Sequence, residues 1–392
     1  MAQGIFGESV DRIGGEPIGA RMAQRAPIRH LDPSLLLVTM LLGAYGATMV
    51  FSATVHKQQA AGLDPNFFLK RQLAFLIVGT VMLVAAAAFD YRHLRSLSPL
   101  LYLGTLGALM LVLTPLGEEV SGSKRWINFG AFQAQPSEFT KVAVILVLAA
   151  YLAARAGEIR ARDVAVCLGI VAVPAALIYL EPDLGTMLVL VALLGGLLLV
   201  GGAKLRHFVV LGLVGLLGVG FVLQAGLLED YQVKRLTAFL DPNPDVRSEG
   251  YNLTQSKIAI GSGGLTGKGL QGRETQTSLD FVPEQHTDFI FTAVGEQLGF
   301  AGSATLLALF AFLLWRAIRI SAMARDLFGT LVAAGIATLW TFQVFVNIGM
   351  TMGIMPITGI PLPFISYGGS SLITNFLGVG LLLNIHMRRF LS

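Results

Sequence analysis

Residues 163–202 read DVAVCLGIVAVPAALIYLEPDLGTMLVLVALLGGLLLVGG, which is two long apolar runs joined by a short polar segment. A helix that crosses a membrane needs roughly 20 apolar residues, and each run comes close to that length. Neither run alternates apolar and polar residues as the strands of a membrane barrel do. This stretch therefore predicts two membrane-spanning helices connected by a tight turn near 181–183.

The same pattern extends over most of the chain. Of its 392 residues, 54% are hydrophobic and only 13% are charged, and the mean hydropathy is +0.69. A soluble domain carries about 25% charged residues. About ten apolar segments predict an all-α polytopic membrane protein, and they run near 32–53, 69–89, 97–114, 137–155, 163–180, 183–202, 205–226, 288–315, 327–349 and 365–386.

The basic residues predict how these helices are oriented. If the N-terminus starts inside, most of the 28 Lys and Arg residues fall in inner segments, which is the usual distribution. Both termini are then cytoplasmic, with residues 1–30 as a cytoplasmic tail and 31–392 as one integral membrane domain. The large loop 227–287, between helices 7 and 8, is extracytoplasmic. The net charge of +4 reflects this topology and does not indicate a nucleic-acid partner.

Charged residues near the outer connections are candidates for function. Glu138 and Lys141 follow Pro136 at the start of the fourth helix, and a spacing of three places them on one helix face. Either the two residues form a purely structural ion pair, or Glu138 holds the Lys141 cation at the outer edge of a polar cavity. Lys124 and Arg125 would bind a phosphate or lipid head groups.

Two further features of the outer segments are predictions of local structure, namely a helix cap and a short helix. In Glu181-Pro182-Asp183, the aspartate is a good N-cap for the sixth helix. Within the large loop, the mixed composition of residues 251–260 predicts a short amphipathic helix at the membrane interface.

Residues 261–269 read GSGGLTGKG. The spacing does not match a nucleotide-binding loop, because Ser262 stands where the first glycine belongs and Gly269 follows Lys268. Two interpretations stay open. The segment is a turn that offers backbone N–H groups and Lys268 to an anion, or it is a flexible loop tip.

Residues 283–291 read PEQHTDFIF, where the large loop returns to the eighth helix. A carboxylate at such a boundary is costly to hold, so it usually lines a cavity or has a function. Glu284, His286 and Asp288 alternate, but the outer loops have too few histidines for a closed zinc site, and Cys167 is the only cysteine. Asp288 is either the N-cap of the helix or a general base whose pKa is raised by partly apolar surroundings.

Five motifs in this order resemble the SEDS family (shape, elongation, division and sporulation proteins). They are QPSE at 135–138, EPDLGT at 181–186, QSKIAIGSGG at 255–264, PEQHTDFIF at 283–291 and PLPFISYGGS at 361–370. The resemblance covers about residues 32 to 390. Residues 256–260 (SKIAI) and 267–269 (GKG) resemble the rod-shape RodA branch more than the division FtsW branch.

The resemblance implies a peptidoglycan glycosyltransferase of the bacterial inner membrane. Such an enzyme polymerises lipid II, a disaccharide-pentapeptide on undecaprenyl pyrophosphate, into glycan strands on the extracytoplasmic face during cell elongation. The essential acidic residue of the family matches Asp288. A class B penicillin-binding protein, which is a transpeptidase, and other membrane proteins of the elongation machinery are the implied partners.

The alternative is a lipid-linked precursor transporter (a flippase). Transporters place coupling charges near the bilayer midplane and often contain inverted repeats. Helices five, six, nine and ten have almost no midplane charge, and no repeat is visible.

The pyrophosphate leaving group needs cations that stabilise its developing negative charge. The candidates are Lys124, Arg125, Lys141, Lys257 and Lys268, or a divalent cation (Mg²⁺ or Mn²⁺) in their place. Glu138, Glu284, His286 and Ser366 complete the predicted substrate-binding residues.

Overall fold

A computed structural model describes residues 30–120, 123–130, 132–155, 159–224, 226, 249–270, 272, 275–277 and 285–389. Eight helices in this part of the chain are long and apolar enough to cross a membrane: α1 (Pro33–Ala60), α2 (Phe67–Ala88), α3 (Tyr91–Val112), α4 (Pro136–Ala153), α5 (Ala161–Leu180), α9 (Ile290–Ala322), α10 (Leu327–Met352) and α11 (Gly369–Met387). Two further apolar helices, α6 (Leu184–Val200) and α7 (Leu205–Gln224), occupy the two remaining predicted positions, and α8 (Glu249–Ser262) lies in the large loop.

The all-α polytopic architecture is therefore confirmed, while the count of ten spans stays a prediction. The helix predicted at 251–260 is present as α8. Most of the predicted cytoplasmic tail, residues 1–29, and much of the large loop lie outside the described residues.

One element was not predicted. The connection between α3 and α4 contains an antiparallel sheet of three short strands, β1 (Gly117–Val120), β2 (Ser123–Asn128) and β3 (Gln133–Ala134), in the order β1-β2-β3. This sheet carries Lys124 and Arg125 on β2 and leads directly into α4.

Several helices begin at side chains that cap their first N–H groups. Asp32 accepts hydrogen bonds from Ser34 and Leu35 at the start of α1. Asp183 accepts from the Thr186 N–H at 3.0 Å, so the predicted N-cap of α6 is confirmed.

Helices α4, α10 and α11 form the most buried part of the bundle. Helix α4 packs on α3 and α10, α10 packs on α6 and α9, and α11 packs closely on α2. By contrast, α7 exposes apolar side chains over much of its length, among them Leu205, Leu216 and Leu217. Because successive helices alternate in direction, the sheet, the α5–α6 turn, the described part of the large loop and the α10–α11 connection all lie at one end of the bundle.

Candidate active site

The connection between α10 and α11, residues 354–368, contains most of the motif at 361–370, and we call it the hub loop. Its residues 362–366 are buried. A Cβ atom on Gly46 of α1 would overlap the Phe364 carbonyl oxygen, and one on Gly185 of α6 would lie 2.6 Å from the Thr358 carbonyl oxygen. The hub loop is thus packed directly against α1 and the start of α6.

Asp288 lies half-buried in the turn 285–289, immediately before α9. The N-cap of α9 is Phe289, and no side chain caps the helix there. The interpretation of Asp288 as the N-cap is therefore wrong. The main-chain carbonyl oxygen of Asp288 accepts a hydrogen bond of 2.8 Å from Asn347 Nδ2 of α10.

Two residues of the hub loop, Ser366 and Tyr367, hold this turn by hydrogen bonds. The Ser366 hydroxyl donates to the Thr287 carbonyl oxygen at 2.6 Å, and the Tyr367 N–H donates to the His286 carbonyl oxygen at 2.9 Å. The His286 ring also packs against Phe68 of α2, with ring centroids 4.9 Å apart. The structure thus brings His286, Asp288 and Ser366 together, whereas Glu284 lies outside the described residues.

Arg125 is anchored on the α5–α6 turn. Its Nε donates to the Glu181 carbonyl oxygen at 2.9 Å, and its guanidinium group also donates to the Pro182 carbonyl oxygen. Lys124, its neighbour on β2, is exposed. The two adjacent cations therefore differ, since one fixes a turn and the other faces the surroundings.

Glu181 was not among the site residues predicted from the sequence. Its side chain is fully buried, and its carboxylate oxygens have no hydrogen-bond partner among the described residues. Burial raises the pKa of Glu181 to about 8, the neighbouring Asp183 carboxylate adds to the rise, and Arg125 opposes it. The glutamate is therefore mostly neutral at pH 7. Its only sequence signal was its place at the head of the EPDLGT motif.

Glu138 and Lys141 form the predicted ion pair. Lys141 Nζ lies 2.7 Å from Glu138 Oε1, and the two residues are only 1% and 3% exposed. The ammonium group is enclosed inside the bundle, which favours the structural interpretation. The connection into α4 reaches α11 through the Gln135 N–H, which donates to Ser370 Oγ at 2.9 Å.

The glycine-rich turn is inserted against a break in α9. Gly299 has φ 63° and ψ −157°, so the helix is interrupted at that residue. The N–H groups of Lys268 and Gly269 each donate at 3.0 Å to carbonyl oxygens of α9, and the Phe300 N–H donates back to Gly264 at 2.9 Å. These two turn N–H groups are therefore not directed at an anion, and the anion-binding interpretation is wrong for them. The alternative of a flexible loop tip is also wrong, because the turn is packed and hydrogen-bonded.

Glu296 of α9 fixes the position of the Lys268 side chain by an ion pair. This fully buried carboxylate accepts from Lys268 Nζ at 3.1 Å, from the Gln276 N–H at 2.7 Å and from the Thr277 N–H at 2.9 Å. It thereby ties the described part of the large loop to α9. Lys257 of α8 is exposed beside Gly353, the residue that ends α10.

The described residues contain no group of three or more His, Cys, Asp or Glu side chains that could hold a metal ion.

Known proteins are similar to this chain over most of its length. The model of the FtsW, RodA and SpoVE family, described as cell cycle protein, matches residues 32–390. Stage V sporulation protein E of Bacillus subtilis (strain 168) is 43% identical over 91% of this chain and 98% of its own length. Peptidoglycan glycosyltransferase MrdB of Escherichia coli (strain K12) is 38% identical over 92% of this chain and 94% of its own length.

Solved structures are similar over the same range. A chain from a peptidoglycan synthase complex, studied for its coordination of polymerization and crosslinking, has a TM-score of 0.77 and 32% identity, covering 92% of this chain and 99% of its own. The rod shape determining protein RodA of Thermus thermophilus has a TM-score of 0.69 and 30% identity, covering 92% of this chain and 98% of its own.

Proposed function

Since this chain belongs to the FtsW, RodA and SpoVE family of cell cycle proteins, we infer that it is a peptidoglycan glycosyltransferase. This multi-pass membrane enzyme joins glycan units taken from lipid II. One observation connects the activity to a site: the turn that carries Asp288 is hydrogen-bonded to both α10 and the hub loop.

In the proposed reaction, Asp288 is the general base. Its carboxylate accepts the proton of the 4-hydroxyl of the acceptor GlcNAc, and that oxygen attacks the anomeric carbon of the donor MurNAc. The bond between that carbon and the pyrophosphate oxygen breaks, and its electron pair leaves with the undecaprenyl pyrophosphate. The configuration changes from α to β, and the proton remains on Asp288 until it is released to water.

The leaving pyrophosphate is stabilised by nearby cations rather than by a strong acid. Lys124 and Lys257 are the first choices, because both are exposed, and Lys268 keeps 34% of its side chain accessible while pairing with Glu296. Arg125 and Lys141 support the site instead, through the α5–α6 turn and the buried pair with Glu138. His286 and Ser366 hold the Asp288 turn beside the substrate.

A groove suits the polyprenyl tail of lipid II. It has a volume of about 390 Å³ and lies between α6, α9 and α10, where Ala192, Val200, Ile318, Ala337 and Phe345 line it. The lining is mostly apolar, and α7, which follows α6 in the chain, exposes apolar side chains as well. A hydrocarbon chain bound there stays within the bilayer while the pyrophosphate reaches the outer end of the bundle.

Several further properties belong to the proposal. The enzyme lies in the bacterial inner membrane with both termini cytoplasmic, residues 31–392 form its integral domain, and the large loop at 227–287 faces outward. It acts in cell elongation together with a class B penicillin-binding protein and other membrane proteins of the elongation machinery. Support comes from the basic inner segments and from the similarity to a chain of a complex that couples polymerization to crosslinking.

The deciding experiment uses purified protein, labelled lipid II and no other transferase. Asp288→Asn keeps the shape of the side chain and removes its basicity, so polymerisation should fall by about 100-fold or more, as expected for loss of a general base. Asp64→Asn, on the exposed α1–α2 turn, should keep the wild-type rate. Normal polymerisation by folded Asp288→Asn rules out the general base, and vesicle translocation of lipid II without glycan product contradicts the enzyme assignment.

A further inference from the structure

Asn347 of α10 joins two separate parts of the site through one amide group. The side chain is fully buried, and its Nδ2 donates to the Asp288 carbonyl oxygen at 2.8 Å and to the Ile360 carbonyl oxygen at 2.7 Å. Carbonyl oxygens only accept hydrogen bonds, so the amide nitrogen must face them and the amide cannot be flipped. Asn347 therefore holds the Asp288 turn and the hub loop in a fixed relation.

The Asp288 turn is held by external contacts at three successive carbonyl groups. The carbonyl oxygen of His286 accepts from the Tyr367 N–H, that of Thr287 from Ser366 Oγ, and that of Asp288 from Asn347. Among these donors, Asn347 contacts the peptide group of Asp288 itself. It also approaches from a different helix, α10, and not from the hub loop.

The amide is not there for packing alone. Asn347 Oδ1 has no hydrogen-bond partner within the described residues, and neither has Oε1 of Gln343, one turn earlier on the same helix face. Burying an unpaired acceptor is unfavourable, and an apolar side chain of similar size would fill the space without that penalty. The two donated hydrogen bonds are therefore what this position provides.

We propose that Asn347 is a positioning residue for the glycosyl transfer, fixing the peptide group that follows Asp288 and thereby the direction of its carboxylate. This proposal rests on Asp288 being the general base. A base must approach the hydroxyl it deprotonates to within about 2.6–3.2 Å. A displacement of about 1 Å is expected to lower the rate about 100-fold.

The test is Asn347→Asp, which is nearly isosteric. Once ionised, its carboxylate donates no hydrogen bond and faces two carbonyl oxygens, so at a pH that ionises it kcat for lipid II polymerisation should fall about 100-fold while KM changes little. A protonated aspartic acid has one O–H donor. The kcat of Asn347→Asp relative to wild type should therefore recover as the pH is lowered, whereas Asn347→Leu, which has no donor at any pH, should show no recovery.

Matched variants separate the possible outcomes. Asn66→Asp makes the same chemical change at an exposed position before α2 and should keep the wild-type kcat. If Asn347→Asp folds poorly, Asn347→Leu alone tests the proposal, because without a donor its kcat should fall about 100-fold at any pH. Wild-type kcat in folded Asn347→Leu, or equal losses in the Asp and Leu variants at every pH, overturns the positioning role. An active Asp288→Asn control would instead mean that the general base itself is wrong.

Discussion

The Ser366 hydroxyl donates a hydrogen bond of 2.6 Å to the main-chain carbonyl oxygen of Thr287, the residue before Asp288. The same oxygen, Oγ, accepts a hydrogen bond of 2.8 Å from the Leu362 N–H. One hydroxyl group therefore closes a turn of the hub loop and attaches the Asp288 turn to it. The role that follows for Ser366 is to support the base, alongside any contact with substrate.

Replacing Ser366 by alanine should weaken both stability and catalysis. It leaves the Leu362 N–H and the Thr287 carbonyl oxygen without this partner, and each unpaired buried group costs about 1–3 kcal/mol. We expect a lower thermal midpoint in detergent and a lower kcat with lipid II. Thr305→Ala is the control, because Thr305 is exposed and its Oγ1 donates a hydrogen bond to the Ala301 carbonyl oxygen of the same helix, α9. Values equal to those of the control would show that the Ser366 bridge does not matter.

The helices could be predicted from sequence because a membrane imposes strong constraints. A spanning helix satisfies all its backbone groups internally, so a long apolar run is enough to locate it. The predicted 137–155 and 327–349 correspond to Pro136–Ala153 and Leu327–Met352. The sheet between α3 and α4 lies in water-exposed sequence, where hydropathy gives no such signal.

The site was predictable only in part, for a related reason. Asp288 and His286 lie together in one short motif, and the Glu138–Lys141 pair follows from helical spacing. Asn347 is 59 positions away from its partner Asp288, and nothing in local sequence announces that contact. Residues that act through long-range hydrogen bonds become visible only when the fold is known.

Gly263 and Gly261 offer a matched pair for testing how the glycine-rich turn is packed. A Cβ atom on Gly263 would overlap the Gly295 carbonyl oxygen of α9, whereas one on Gly261 would meet nothing within 4 Å. Gly263→Ala should therefore lower the free energy of unfolding by an amount typical of core overpacking, about 1–3 kcal/mol, and the thermal midpoint should fall with it. Gly261→Ala should leave it nearly unchanged. Equal midpoints for the two variants would contradict the close contact between this turn and α9.

Glu296→Gln should loosen the described part of the large loop. The substitution removes the ion pair with Lys268 and turns one acceptor into a donor that faces either the Gln276 N–H, which binds Oε1, or the Thr277 N–H, which binds Oε2. A hydrogen bond to a charged group typically contributes about 1.5–3 kcal/mol.

Hydrogen–deuterium exchange measures this effect directly, since the amides of 276 and 277 should exchange faster in Glu296→Gln than in wild type. Lys268→Met should have a smaller effect, because the lysine side chain is 34% exposed. If Lys268→Met raises exchange as much as Glu296→Gln, the carboxylate is not the centre of the network.

The proposed orientation can be tested with single cysteines. Cys167 is fully buried, and Cys167→Ala gives a background without other thiols. In intact cells, a membrane-impermeant maleimide should label Leu270→Cys, near the end of the glycine-rich turn, and should not label Lys204→Cys, between α6 and α7. Both positions are exposed, so access to the thiol does not differ. Labelling only at position 204 would reverse the topology.

The buried Glu181 predicts a particular dependence of stability on pH. Its pKa is raised from an ordinary value of 4.5 to about 8, chiefly by burial. Between these two values the folded protein binds more protons at this group than the unfolded protein does. The free energy of unfolding should therefore decrease as the pH rises through this window, by up to about 1.4 kcal/mol per pH unit, and the contribution is complete only below the lower value.

Glu181→Gln should remove this dependence, because the amide stays neutral and keeps the size of the protonated acid. Its main-chain carbonyl, which binds Arg125, is unchanged. Thermal midpoints in detergent between pH 5 and pH 9 should fall less steeply for Glu181→Gln than for wild type, and the variant should be the more stable protein near pH 9. Glu119→Gln, on exposed β1, should follow the wild-type curve. Parallel curves for wild type and Glu181→Gln would mean that Glu181 does not hold its proton in this window, and that the α5–α6 turn tolerates its charge.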